Sequence, residues 1–162
     1  MAHTTRREFI KLTVLGTAAA SLGLNGCVDS APKGSFTHGV ASGDPLADRV
    51  ILWTRFVPED QSLEHVTLDY EVATDASFAA PVASGTLQAE QAADWTAKVD
   101  ATGLAADTGY FYRFMVGDQQ ISDLGTTRTL PVGAVDQVRF AVFSCSNFPA
   151  GYFHPYRQAL EE

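Results

Sequence analysis

Cysteine, positive charge and long apolar runs are what this 162-residue chain has least of. Its two cysteines, Cys27 and Cys145, are too few for a disulfide-stapled scaffold, and no paired-cysteine spacing of a zinc site occurs. Only 11 Lys and Arg stand against 19 Asp and Glu, a formal net charge of −8. A surface of that sign repels phosphate backbones and argues against nucleic acid as a partner. No apolar run reaches the roughly 20 residues of a membrane-spanning helix. The nearest, from Leu12 to Leu24, falls well short. A phosphate-cradling glycine loop and a nucleophile elbow are missing too, which removes two common routes to hydrolase chemistry.

The run from Leu12 to Leu24 follows a basic start with Arg6, Arg7 and Lys11 and precedes small residues, the pattern of an export signal. Arg6 and Arg7, followed by Glu8-Phe9-Ile10-Lys11, resemble the twin-arginine signal of bacteria, an address read by the machinery that exports folded proteins. "LNGC", Leu24 to Cys27, resembles a lipoprotein processing box. Cys27 is therefore a candidate for lipidation, which would tether the protein to a membrane without spanning it; removal with the leader is the alternative. Residues 1–27 are read as this leader and 28–35 as a Pro/Gly/Ser linker. The leader carries three of the basic residues and one acidic residue, so the remaining chain has a net charge of −10.

What the body does have is apolar and aromatic: 46% of the chain is hydrophobic, with ten Phe and five Tyr, ample for a packed core. Short β-rich runs recur at 49–56, 66–74, 81–89, 95–100, 109–116, 120–130 and 137–144, with turn residues between them and almost no helical periodicity. This predicts an all-β antiparallel sandwich over residues 36–131. Tyr110, six residues after Leu104 and at the start of a late strand, has the spacing of the tyrosine corner of immunoglobulin-like and fibronectin type III domains. Tyr112 and Phe114 should share its inward face, with Phe111 and Arg113 on the other, and Trp53 and Tyr70 should complete the core. After Phe143 the pattern changes to a loop, then a helix from about Pro155.

Several polar residues could be taken for site residues. His38, among Gly39, Gly43 and Pro45, reads as a turn or structural hydrogen bond. Asp44 and Asp48 read as a turn in which one of them pairs with Arg49, and Asp75-Ala76-Ser77 as a hairpin turn. His65 beside Glu64 reads as solvated. Tyr152, Phe153, His154 and Tyr156 form an aromatic group that either packs between domains or lines a cleft. Cys145, at the end of an apolar run and without an assured partner, is either a quiet buried thiol or a functional one.

The blocks "FTHGVASGDPLADRVILWTRFVP", "YEVATDASF", "WTAKVDATGL", "YFYRF" and "RFAVFSCSNFPAGYF" together resemble the N-terminal part of the alkaline phosphatase D (PhoD-like) family of phosphatases and phosphodiesterases. The resemblance runs from Phe36 to the C-terminus. It implies an exported, periplasmic or cell-envelope hydrolase of phosphate esters, built from a β-sandwich followed by an α/β metallophosphatase domain. Residues 137–162 would be the first strand and helix of that second domain, left incomplete. By position, Cys145 would be a ligand to a ferric ion with calcium ions nearby. A thiolate suits iron, and carboxylates suit calcium.

The resemblance places the other metal ligands, mainly aspartates, in later segments absent from these 162 residues. The chain is accordingly expected to be the N-terminal portion of the enzyme and inactive by itself. The alternative is a non-catalytic β-sandwich lipoprotein or binding module.

Overall fold

The computed structural model describes residues 31–144, 149 and 152–159. Eight strands follow in order: β1 (Gly34–Gly43), β2 (Arg49–Pro58), β3 (His65–Ala73), β4 (Ala83–Glu90), β5 (Thr96–Thr102), β6 (Gly109–Val116), β7 (Gln120–Ile121) and β8 (Gly125–Arg128). A 3₁₀ turn, Gln91–Ala93, separates β4 from β5, and a short helix α1 (His154–Ala159) comes last among the described residues.

Two antiparallel sheets result. One has the order β1-β2-β5; the other has β4-β3-β6, with β7 and β8 pairing successive parts of β6's far edge. Alternation along each strand explains why the sheets must face each other. On β6, Tyr110, Tyr112, Phe114 and Val116 are buried while Phe111, Arg113 and Met115 are half-exposed. On β2, Val50, Leu52, Thr54 and Phe56 turn inward. Joined by Val66, Leu68, Val72, Trp95, Ala97 and Ala101, they make one apolar core, and Phe36 lies edge-on to Phe56 at 5.0 Å. Burial on this scale is the main force that holds two sheets together.

The tyrosine corner forms as its spacing predicts. The Tyr110 hydroxyl accepts the Ala105 N–H at 2.8 Å and lies 3.4 Å from the Ala105 carbonyl. Buried Thr129 fixes the same loop from beyond β8: its hydroxyl donates to the Ala105 carbonyl at 2.6 Å and accepts the Thr108 N–H at 3.0 Å. These bonds satisfy backbone groups that the turn would otherwise leave unpaired.

Four expectations are corrected. Gly34 and Ser35, expected in the linker, open β1, a strand hidden by its glycines and by a bulge between Phe36 and Val40. Gly39 adopts φ 65° in that bulge, and its carbonyl takes the buried Thr54 hydroxyl at 3.0 Å. Trp53 sits half-exposed on the outer face of β2, and the buried tryptophan is Trp95. The run 120–130 is broken into β7 and β8, because the Ser122 side chain takes the Phe114 N–H at 2.9 Å where a ladder partner would be. Finally, 137–144 forms no strand: it joins no sheet among the described residues, and Phe140 and Val142 are 84% and 89% exposed.

Candidate functional site

The residues marked by sequence for chemistry or processing, Arg6, Arg7, Cys27 and Cys145, lie outside the described residues. What the structure describes is the approach to Cys145 on either side. Upstream, Val138, Phe140 and Val142 present apolar side chains to solvent. Downstream, Tyr156 of α1 returns to Phe143, with ring centroids 4.7 Å apart, and to Phe153 at 5.7 Å. His154 packs against Tyr152 at 5.9 Å. The aromatic group predicted around Tyr152 to Tyr156 therefore exists, and Phe143 belongs to it.

The other polar candidates hold local structural roles. His38 and Thr37 both lie exposed beside the Gly39 bulge, and the His38 Nδ1 is 2.8 Å from the Thr37 hydroxyl. That hydroxyl accepts from Arg55 at 3.0 Å, and Arg55 is pinned by Asp94 at 2.8 Å. The Arg55 hydrogen bond, foremost, holds the Asp94 carboxyl below the ordinary carboxylate range. Asp48 pairs with Arg49 at 3.1 Å, which lowers its pKa, and Arg49 also reaches Asp100 at 3.3 Å. Asp60 and Asp75 cap tight turns by accepting from Ser62 and Ser77, and both are lowered chiefly by those side-chain bonds. His65 lines a shallow open cavity of about 500 Å³ with Glu64, Gln88, Glu90 and Gln91.

A metal centre needs several ligands converging on one point. Among the described residues no group of three or more His, Cys, Asp or Glu side chains comes together, so these residues by themselves do not fit an iron or calcium centre. The geometry instead describes a closed structural module whose polar side chains serve turns, corners and strand edges.

Comparison with known proteins decides which module. A family model described as PhoD-like phosphatase, N-terminal domain, matches residues 18–131. This chain belongs to the PhoD-like phosphatase family. Alkaline phosphatase D of Bacillus subtilis (strain 168) is 38% identical over 174 residues, covering 97% of this chain and 30% of that protein. A solved structure of PhoD matches at 38% identity with a TM-score of 0.73, covering 82% of this chain and 26% of that one. The chain thus spans less than a third of the length of the PhoD relatives it matches. The family model stops at residue 131, immediately past the Thr129 anchor of the corner loop. The corner, the two facing sheets and their core are therefore the structure of a PhoD-like N-terminal domain.

Proposed function

We propose that these residues serve as the N-terminal β-sandwich of an exported PhoD-like phosphatase or phosphodiesterase that hydrolyses phosphate esters at a centre of iron and calcium. In this reading Arg6 and Arg7 address the folded protein to the twin-arginine machinery, and the protein works in the periplasm or cell envelope. Cys27 is the lipidation point if the protein is anchored. Cys145 contributes a thiolate to iron, and the remaining ligands come from the part of the PhoD relatives outside the matched region. Residues 137–162 begin that catalytic domain, and the 162-residue chain alone does not hydrolyse phosphate esters.

The observation that carries this reading is the extent of the match to alkaline phosphatase D. An alignment covering 97% of the chain leaves out too few residues to stop before Cys145. The exposed apolar segment at Val138, Phe140 and Val142 supports it, since a strand covered on both faces in a larger sheet has that near-continuous apolar character.

Three proteins test it: the 162-residue chain, a fusion of this chain to the remaining part of the Bacillus alkaline phosphatase D, and that fusion carrying Cys145→Ala. Elemental analysis and hydrolysis of a chromogenic phosphodiester are measured on each. The fusion should bind iron and calcium and turn over the ester, the chain alone should do neither, and Cys145→Ala should remove most of the iron. Turnover by the 162-residue chain with stoichiometric metal would overturn the reading.

A further inference from the structure

The segment in front of the sandwich is held at three consecutive residues. The Glu59 N–H donates to the Lys33 carbonyl at 2.8 Å, extending the β1–β2 ladder beyond the Gly34–Pro58 pair. On the other side the Gln120 side chain accepts the Gly34 N–H through Oε1 at 2.8 Å and donates from Nε2 to the Pro32 carbonyl at 2.8 Å. One primary amide thus takes up the backbone groups at positions i and i+2 of an edge, as an adjacent strand would.

The two partners come from different sheets. Gln120 belongs to β7 and Glu59 follows β2, so the segment is held from both sides only when both sheets are assembled. Moreover, the Lys33 carbonyl and the Gly34 N–H are the two polar atoms of one peptide bond, and each is engaged by a different sheet. Lys33 itself is exposed. Its side chain therefore advertises a bond whose backbone is occupied.

We propose that Lys33–Gly34 is a latched cleavage site for lysine-specific endopeptidases: closed while the sandwich is assembled, and open when either sheet is incomplete or Gln120 releases its hold. A protease of this class binds its substrate as an extended strand and draws on the same backbone groups that Gln120 and Glu59 hold. Cleavage adds one water across the bond, leaving a carboxylate on Lys33 and an amine on Gly34. It separates an imperfectly assembled domain from everything upstream, and it spares the assembled one.

The test is limited trypsin digestion of the full 162-residue chain followed by intact mass spectrometry, with the bond after Arg139 as internal standard because its segment is exposed and unpaired. Native protein should be cut after Arg139 and not after Lys33. Gln120→Ala, which deletes two hydrogen bonds, should raise the rate after Lys33 about tenfold and leave the rate after Arg139 unchanged. Gln120→Glu, which keeps the acceptor and loses the donor, should fall between them. Leu87→Ala, in β4 away from the latch, controls for general loosening. The proposal is overturned if native Lys33 is cut as fast as Arg139, if Gln120→Ala stays as resistant as native, or if Leu87→Ala at equal overall stability exposes Lys33 as much.

Discussion

Adding one methyl group at Gly125 should be among the most damaging small changes in this fold. Gly125 opens β8 and pairs with Tyr112, whose ring lies directly over it. A Cβ built there would stand 2.5 Å from Tyr112 Cε1 and 2.6 Å from Cε2, and closer still to Cζ. The ring has nowhere to retreat: Tyr112 is 2% exposed and lies edge-on to Phe114 at 6.3 Å. Overpacking a core typically costs about 1–3 kcal/mol. Loss of the ring pairing adds about 1 kcal/mol. Gly125→Ala should therefore cost about 2–4 kcal/mol, a drop of at least about 8 °C in Tm for a domain of this size. Urea unfolding, with a shifted midpoint and unchanged slope, measures the cost directly. Gly109→Ala is the matched control in the neighbouring strand, since nothing lies within 4 Å of its Cβ position, and it should change stability by less than about 0.5 kcal/mol. In a Tyr112→Leu background the alanine at 125 should cost far less than it does alone, because the clash is with that ring. A cost below about 0.5 kcal/mol for Gly125→Ala, or the same cost in both backgrounds, would refute the reasoning.

Removing the corner hydroxyl with Tyr110→Phe should cost about 1–3 kcal/mol by stranding the Ala105 N–H, and a change of only a few tenths in thermal or urea unfolding would count against the corner. Burial raises the Tyr112 phenol above its usual pKa of 10.0, with the Ser42 hydrogen bond opposing in part. Because the folded-state value exceeds the unfolded one, this stabilisation is complete below pH 10.0 and is lost as pH climbs through the raised value. The urea midpoint should fall on that climb, and less steeply in Tyr112→Phe. Backbone amides of Val138 to Phe143 should exchange within seconds in dilute solution and gain protection at high concentration as copies pair through this exposed segment; strong protection in a monomer would contradict the structure.

Local pattern carried the sequence reading where one face of a strand was clearly apolar. In β6 the aromatic residues at 110, 112 and 114 alternate with Arg113, and both the strand and its inward face followed from that parity. In β2 both faces are apolar: Ile51, Trp53 and Val57 oppose Val50, Leu52 and Phe56, and the inward set includes the polar Thr54. Hydrophobicity alone could not choose between them, and the larger Trp53 drew the wrong face. β1 was obscured by Gly34, Gly39 and Gly43, residues that signal turns in isolation but here serve a bulge and a close approach to Phe56. The Gln120 clamp had no sequence signal at all, since it joins residues 86 and 88 positions apart. Cys145 was legible only through family resemblance, because its proposed function needs ligands that these 162 residues do not bring together.

The chain enters the sandwich beside Pro58 and Gly117 and leaves it beside Leu46, where the Leu130 N–H donates to the Leu46 carbonyl. Those points lie at opposite ends of β2, ten residues long, and a strand of that length spans about 30 Å. Both attachments are hydrogen-bonded to the body, at Gln120 and at Thr129. The sandwich thus holds its entry and exit points apart by about a strand's length, roughly 30 Å, so the two attachments leave from opposite ends of the domain and not from one side.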